Sequence, residues 1–160
     1  MPESVSPVPV DYHTVTPYLL VAGASDAMEF YEKAFGAQEV MRLQSPDGKV
    51  GHAEIKIGDS HVMLADEHPD MDFLGPKSRG GTTVSLLVYV EDVDAVFARA
   101  IEAGAEELKP LCDQFYGDRS GTVVDPWGHI WTVASRIENL TVQQVQERFE
   151  QFFGDADEAE

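Results

Sequence analysis

Two stretches of the sequence decide the fold: residues 19–37, LLVAGASDAMEFYEKAFGA, and residues 86–105, LLVYVEDVDAVFARAIEAGA. In each, a short aliphatic run is followed by a turn, an Asp-Ala pair, a helix-like segment and a Gly-Ala pair. The two Asp-Ala pairs are 68 residues apart, as are the two Gly-Ala pairs, and His61-Val62 recurs as His129-Ile130 at the same spacing. Two copies at one spacing indicate a duplicated module.

The first copy has the pattern of a strand, a helix and three further strands. Its strand-like segments are Thr14–Val21, Glu39–Leu43, Val50–Ile57 and His61–Ala65. The predicted helix has apolar residues at the spacing that places them on one face: Ala27, Phe30, Tyr31, Ala34 and Phe35. We expect Asp26 to cap the start of this helix and Gly36 to end it in the left-handed conformation.

The second copy repeats this order and extends it into a fold prediction. Its strand-like segments are Thr82–Val90, Glu107–Leu111, Ser120–Val124 and Ile130–Ala134. Its helical face consists of Val93, Val96, Phe97, Ala100 and Ile101, with Gly104 as the stop. The sequence therefore predicts an α+β fold of two βαβββ modules, residues 14–74 and 82–137. We expect a curved, mainly antiparallel sheet with helices on its outer face and a concave cup for a small ligand.

The segments outside the modules have simpler patterns. Residues 1–13, rich in proline, are expected to form an N-terminal arm, and residues 75–81 a linker between the modules. Residues 138–153 are predicted to form a C-terminal helix on which Thr141 and Gln144 make a capping box. The apolar stripe of this helix is Val142, Val145, Phe149, Phe152 and Phe153. Residues 154–160 are expected to be an acidic tail.

Charge and cysteine content narrow the possible partners and the compartment. Against 29 acidic residues the chain has 11 lysines and arginines, for a net charge of -18. Such a charge repels phosphate backbones and anionic lipid, so we expect neither nucleic acid nor a membrane as a partner. The N-terminal residues resemble no secretion signal, and the single cysteine, Cys112, suits the cytoplasm. We expect Cys112 to be buried as a small apolar residue.

Several runs together resemble one known superfamily. These runs are TPYLLV at 16–21, AMEFY at 27–31, FGA at 35–37 and DPWGH at 125–129. The chain is thereby similar to the vicinal oxygen chelate superfamily of glyoxalase I, extradiol dioxygenases and bleomycin- and fosfomycin-resistance proteins. Further runs resemble its PhnB-like branch: GHAE at 51–54, IGDS at 57–60, MLADE at 63–67 and FYGDRSG at 115–121. The resemblance covers residues 14–137 and implies the paired βαβββ fold, usually in a homodimer.

The resemblance also implies four strand positions at which the metalloenzymes of the superfamily carry His, Gln or Glu. In this sequence these positions fall on Thr16, Leu64, Ser85 and Thr132. Hydroxyl groups are poor ligands and leucine is none, so we predict no metal site and no cofactor. The alternative is a metal-dependent lyase, isomerase or dioxygenase with unconventional donors. Those donors would come from His52, Glu54, His61 and Glu67.

Residue parity along the strands predicts that Tyr18, Tyr89 and Thr132 face the cup and bind the ligand. The polar run QFYGDR at 114–119 adds Tyr116, Asp118 and Arg119 as ligand-binding residues at the mouth of the cup. For Asp118 and Arg119 an equally weighted alternative is an ion pair that fixes their loop. Trp131 is expected to face the helices as part of the core. His52, Glu54, His61 and His129 are expected to be solvated or hydrogen-bonded polar residues near strand ends. 

Taken together, these patterns predict a metal-independent, PhnB-like protein that binds a small organic molecule in the cup and pairs with a second copy of itself. Two alternatives stay open: the metal-dependent enzyme described above, and a non-enzymatic interaction protein that docks a partner on its C-terminal helix. The interaction hypothesis requires that the apolar stripe of that helix, including Phe149 and Phe152, be exposed.

Overall fold

The structure is a computed structural model that describes residues 4–157. The first residues of the predicted arm, 1–3, and the last of the predicted tail, 158–160, lie outside the described residues. The chain forms two compact units, one ending at Thr82 and the other beginning at Thr83. Each unit contains one of the two repeats.

The first unit contains one mixed sheet and its helix. Its elements are β1 (Tyr18–Val21), α1 (Ala24–Phe35), β2 (Gln38–Gln44), β3 (Val50–Ile57) and β4 (Ser60–Asp66). A 3-10 turn at Pro69–Met71 and a short helix, α2 (Pro76–Arg79), follow. The strand order is β1-β4-β3-β2, in which β1 and β4 are parallel and the other neighbours antiparallel.

The second unit repeats this arrangement and adds a helix. Its elements are β5 (Ser85–Tyr89), α3 (Val93–Ala103), β6 (Glu106–Asp113), β7 (Asp118–Val124), β8 (Ile130–Arg136) and α4 (Val142–Asp157). The strand order is β5-β8-β7-β6, again with the first pair parallel and the others antiparallel. The predicted α+β class and the βαβββ order are confirmed, with a separate four-stranded sheet in each unit.

One face of each sheet is buried beneath its helix. In the first unit the buried strand residues include Leu19, Val21, Ile55 and Leu64, and α1 covers them with its predicted apolar face. In the second unit Gly121 approaches Phe97 of α3 so closely that a β-carbon there would lie 2.6 Å from the ring. The residues that alternate with these buried ones form the opposite face, which we call the open face of each sheet.

Several local predictions are confirmed by backbone geometry. Gly36 ends α1 with φ of 69°, in the left-handed region where glycine has no steric penalty. At the start of α4, the Thr141 hydroxyl accepts the Gln144 amide at 3.2 Å, and the Gln144 side chain accepts the Thr141 amide at 2.9 Å. This reciprocal pair is the predicted capping box.

Asp26 does not cap α1, contrary to the prediction. The helix begins at Ala24, so Asp26 lies inside its first turn. The cap comes instead from Asp66 at the end of β4, whose Oδ1 accepts the amides of Gly23 and Ala24 at 2.8 Å each. Its Oδ2 accepts the Val50 amide at 2.8 Å. One carboxylate from a distant strand therefore satisfies the helix start and a neighbouring strand.

Three further differences concern boundaries and exposure. β1 begins at Tyr18 rather than Thr14, directly after Pro17, which has no amide hydrogen to donate to a ladder. α4 continues to Asp157, through part of the predicted tail, because no proline interrupts its backbone there. Cys112 is exposed rather than buried, since β6 is the outer strand of its sheet and has few neighbours to cover it.

Candidate functional site

The open face of the first sheet brings polar side chains from three strands together. Cross-strand pairing aligns Tyr18 of β1 with Met63 of β4, and Met63 with Glu54 of β3. His52 lies two residues before Glu54 and therefore projects from the same face. The register of the strands thus places a tyrosine, a thioether, a carboxylate and an imidazole side by side.

Hydrogen bonds join these groups into one chain. The Tyr18 hydroxyl lies 2.9 Å from Nδ1 of His52, and Nε2 of His52 lies 3.1 Å from Oε1 of Glu54. The other Glu54 oxygen, Oε2, accepts the hydroxyl of Tyr12, which belongs to the segment before β1. Glu54 is only 8% exposed, whereas Tyr18 is 49% exposed. The chain therefore leads from a half-exposed phenol to a buried carboxylate.

His61 completes this group and has an unusual environment. Its ring stacks on that of Tyr12, with centroids 3.8 Å apart and planes inclined by 13°. The side chain is buried, with 7% of its surface exposed, and its Nδ1 atom has no hydrogen-bond partner. Buried polar atoms are nearly always paired in folded proteins, so an unpaired imidazole nitrogen marks a functional candidate. We call Tyr12, Tyr18, His52, Glu54 and His61 the first-unit cluster.

The electrostatics of the cluster favour a charged carboxylate beside neutral phenols. The hydroxyl of Tyr12 lowers the pKa of Glu54, and hydrogen bonding to His52 lowers it further, against the opposing effect of burial. Burial and the negative charge of Glu54 raise the pKa of Tyr18. The hydrogen bond to Glu54 is also the main reason that the pKa of Tyr12 is raised. Glu54 is thus ionised at neutral pH, with the Tyr12 phenol donating a hydrogen bond to it and the Tyr18 phenol neutral.

The open face of the second sheet carries a smaller polar group. Asp118, 2% exposed, accepts the Tyr89 hydroxyl at 2.8 Å and Nε of Arg136 at 2.6 Å. On the same face, the hydroxyls of Thr122 and Thr132 lie 2.9 Å apart. Tyr89 and Thr132 therefore occupy the open face, as their residue parity predicts. Asp118 is buried and pairs with Arg136, a residue that the sequence did not indicate.

Arg119 does not join Asp118. Adjacent residues of a strand point to opposite faces, and Arg119 extends to the helix side, where it pairs with Asp94 of α3 at 2.8 Å and with Asp113 at 3.1 Å. These two carboxylates raise the pKa of Arg119. The alternative Asp118–Arg119 ion pair is therefore not formed, because the two side chains pair with other residues on opposite faces of β7. Tyr116 lies in the turn before β7, where its ring meets that of Phe115 edge-on.

The four positions that resemble family metal-ligand sites do not all share the open face. Thr16 lies before β1, where its hydroxyl donates to the His13 carbonyl at 3.4 Å, and Ser85 and Thr132 lie on the open face of the second sheet. Leu64, however, is buried under α1. On the open face of the first sheet Tyr18 pairs with Met63, and on the open face of the second sheet Leu87 pairs with Thr132. Met63, rather than Leu64, is therefore the counterpart of Thr132.

The alternative metal donors are only partly assembled. His52 and Glu54 are in contact, and His61 lies in the same cluster, but Glu67 is elsewhere and accepts the Gly75 amide at 2.7 Å. Among the side chains that the structure describes, those of residues 4–154, no group of three or more His, Cys, Asp or Glu is arranged to hold a metal ion. The thioether of Met63 is also a better ligand for soft metal ions than for the divalent ions that oxygen ligands prefer.

The DPWGH run has a structural role in the turn between β7 and β8. Asp125, buried in this turn, accepts the amides of Trp127 and His129 at 3.0 and 2.9 Å through Oδ1. Its Oδ2 accepts the indole Nε1 of Trp131 at 3.0 Å. Trp131 is buried, which confirms its predicted place in the core. Asp125 therefore fixes the turn and the largest aromatic side chain of the second sheet at once.

The chain belongs to the Glyoxalase/Bleomycin resistance protein/Dioxygenase superfamily, whose family model matches residues 12–133. An uncharacterized protein of Mycobacterium tuberculosis strain H37Rv is 42% identical over 135 residues, which is 82% of this chain and 79% of that protein. Among solved structures, TioX from Micromonospora sp. ML1 is 27% identical with a TM-score of 0.61, over 81% of this chain and 100% of that chain. The PhnB protein from Bacillus cereus, 22% identical, shares the fold with a TM-score of 0.62, over 77% of this chain and 99% of its own.

Proposed function

We propose that this protein is a metal-independent member of its superfamily that binds a small organic molecule against the open face of its first sheet. The hydrogen-bonded chain from Tyr18 through His52 to Glu54 carries this proposal. A half-exposed hydroxyl backed by an imidazole and an ionised carboxylate is a preorganised polar contact for a ligand. The aromatic rings around it offer the apolar surface that ligand sites also need.

The residues at the metal positions support the metal-independent part of the proposal. Thr16, Ser85 and Thr132 have neutral hydroxyls, and Met63 has a thioether where the sequence alone indicated Leu64. In the second unit, taken by itself, Tyr89, Thr132 and Tyr116 are proposed as contacts for a ligand on that unit, with Asp118 orienting Tyr89. Arg119 is not included, because its guanidinium is held on the helix side by two carboxylates.

Location and self-association are proposed on separate grounds. The thiol of Cys112 is free and exposed, which is typical of reducing compartments, so we propose a cytoplasmic protein. Within residues 4–157, no helix has the length and apolar character to cross a membrane. A homodimer is proposed by resemblance to the family. The alternative of an interaction protein that docks a partner on α4 is supported by the exposure of Phe149 and Phe152 on that helix.

A thermal-shift screen tests the proposed function. The wild-type protein is heated with aromatic and glycopeptide compounds, in excess EDTA and again with Zn²⁺, Ni²⁺, Mn²⁺ or Fe²⁺. A ligand at about 100 times its Kd stabilises a protein by about 2.7 kcal/mol, which for a chain of this size raises Tm by about 5–10 °C. We expect such a shift in EDTA, and a smaller one in Tyr18→Phe, which lacks the half-exposed hydroxyl.

Thr83→Val is the matched control, because it removes an exposed hydroxyl that lies outside every strand. It should respond to the compound like the wild type. Stabilisation that requires one of the metals, with one metal ion bound per chain by elemental analysis, would instead establish the metal-dependent alternative.

A further inference from the structure

Tyr12 approaches the first-unit cluster from a segment with little structure of its own. Residues 4–17 form neither helix nor strand, and most of their side chains are exposed. Tyr12 nonetheless makes two well-directed contacts: its hydroxyl donates to buried Glu54, and its ring stacks on buried His61. The neighbouring ion pair of His13 with Asp59 is long, at 3.6 Å, and joins two exposed side chains. Such a pair contributes little to holding the segment down.

The surface beneath Tyr12 is built for a ring with polar substituents. Glu54 offers a carboxylate oxygen that needs a donor, and His61 offers the flat face of an imidazole. The Tyr12 ring covers His61 but leaves its buried Nδ1 atom unpaired. A tyrosine side chain thus satisfies two of the three recognition features of this surface and leaves the third unused.

We propose that Tyr12 occupies a binding site for a planar aromatic compound that carries a hydroxyl or amino donor, and that such a ligand displaces it. This inference rests on the proposed function and names the ligand class of the same open face. The ligand ring takes the place of the Tyr12 ring on His61, and its donor takes the place of the Tyr12 hydroxyl on Glu54.

The charge of the site further restricts the class of ligand that it can bind. No lysine or arginine is among the groups that shift the pKa of Glu54, although Lys56 lies opposite His61 on the same face, and the whole chain has a net charge of -18. At the Glu54 end of the site an aromatic carboxylate or phosphate is therefore repelled, whereas a phenol or a protonated aromatic amine is not.

Competition by Tyr12 lowers the affinity for any external ligand. A protein whose binding-competent state is only partly populated binds with an apparent Kd raised by the inverse of that population. Removing the Tyr12 side chain abolishes the competitor while keeping Glu54 and His61. We therefore expect Tyr12→Ala to bind such ligands more tightly than the wild type does.

The test uses p-cresol, which reproduces the tyrosine side chain, and 4-methylanisole, in which a methyl group replaces the donated hydrogen. Affinities are measured by NMR titration of full-length wild type, Tyr12→Ala and the matched arm variant Val10→Ala. We expect Tyr12→Ala to bind p-cresol about tenfold more tightly than the wild type, and Val10→Ala to match the wild type. Loss of one hydrogen bond to a charged group should weaken binding of 4-methylanisole to Tyr12→Ala about tenfold.

Two further measurements separate displacement from the filling of an artificial cavity. Chymotrypsin cleaves after tyrosine, so in the wild type saturating p-cresol should accelerate cleavage after Tyr12, followed by mass spectrometry. Adding Glu54→Gln to Tyr12→Ala should remove most of the preference for p-cresol over 4-methylanisole. Glu29→Gln, on the exposed surface of α1, is the control for that change.

Equal p-cresol affinities in wild type and Tyr12→Ala, or an unchanged cleavage rate at saturation, would overturn the inference. If other organic compounds still stabilise the protein in EDTA through Tyr18, the proposed function survives that outcome. If no compound stabilises the protein and p-cresol binds none of the variants, both are wrong.

Discussion

Glu54 shows how a single carboxylate can organise a site at the residue scale. The residue lies on the open face of a sheet, where side chains are usually solvated, yet Tyr12 and His52 enclose it. Burial of a charge is unfavourable unless hydrogen bonds compensate for it. Two donors from separate parts of the chain supply that compensation and keep the group ionised.

The pH dependence of stability should report this arrangement. Because the pKa of Glu54 is lower in the folded than in the unfolded protein, its contribution is present above the ordinary value of 4.5 and is lost as the pH falls through the folded pKa. Tyr12→Phe removes the hydrogen-bond donor that lowers the pKa of Glu54 most, so the pKa of Glu54 in the folded variant should rise. We expect the variant to be less stable than the wild type at pH 7, with the difference shrinking as the pH falls below 4.

Urea denaturation at several pH values measures this effect. In a Glu54→Gln background the same Tyr12→Phe change should produce a difference that does not vary with pH over that range. A wild-type advantage that grows on acidification would contradict the role given to the Tyr12 hydroxyl.

Part of the cluster could be predicted from residue spacing. His52 and Glu54 are two residues apart in a strand-like run, a spacing that places both side chains on one face of the strand. Tyr12 could not be predicted, because it has no periodic neighbours and contacts a residue 42 positions away. Arg136 was missed for a similar reason, since its partner Asp118 belongs to a different strand.

At the scale of elements, the fit of α3 on its sheet depends on the missing side chain of Gly121. A β-carbon there would lie 2.6 Å from Cε2 of Phe97 and 3.1 Å from the Leu111 amide nitrogen. Phe97 is itself buried, and the second neighbour is backbone, so neither can move easily. The glycine is thus required by close packing rather than by its backbone angles.

Gly121→Ala should therefore destabilise the protein by about 1–3 kcal/mol, the usual cost of overpacking a core. The matched control is Gly51→Ala on β3, where the nearest atom to a new β-carbon is the Leu43 carbonyl oxygen at an ordinary 3.8 Å. The free energy of unfolding in urea measures both. Equal stability of the two variants would show that the α3 interface yields without cost.

The elements also show where sequence reasoning succeeded and where it failed. The helical stripes and Gly36 were predicted because they depend on neighbours within a few residues. The capping of α1 was not, because Asp66 comes from another strand. Leu64 was aligned with Thr132 because the sequence motifs repeat every 68 residues. The strand residues that share the open face, Tyr18 with Leu87 and Met63 with Thr132, are instead 69 residues apart. A shift of one residue in a strand exchanges its two faces.

At the scale of the whole molecule, the dominant physical property is the net charge of -18. Acidic side chains outnumber lysines and arginines by 29 to 11. The ion pairs that form mostly use the few arginines: Arg42, Arg79, Arg119, Arg136 and Arg148. Two identical chains with this charge repel each other over distances comparable to the Debye length. Any pairing of two copies must overcome that repulsion through short-range contacts.

The proposed homodimer should therefore depend on ionic strength in a defined direction. Sedimentation at a series of protein concentrations should give a mass near twice 17.6 kDa, with a dissociation Kd that falls as sodium chloride is raised from low to physiological concentration. Sucrose, which does not screen charge, is the control. Added in place of sodium chloride, it should not reproduce the fall in Kd that screening causes. A mass of one chain at every concentration and ionic strength would exclude the homodimer. A Kd that rises with salt would mean instead that attractive ion pairs, rather than apolar contacts working against repulsion, hold the two copies together.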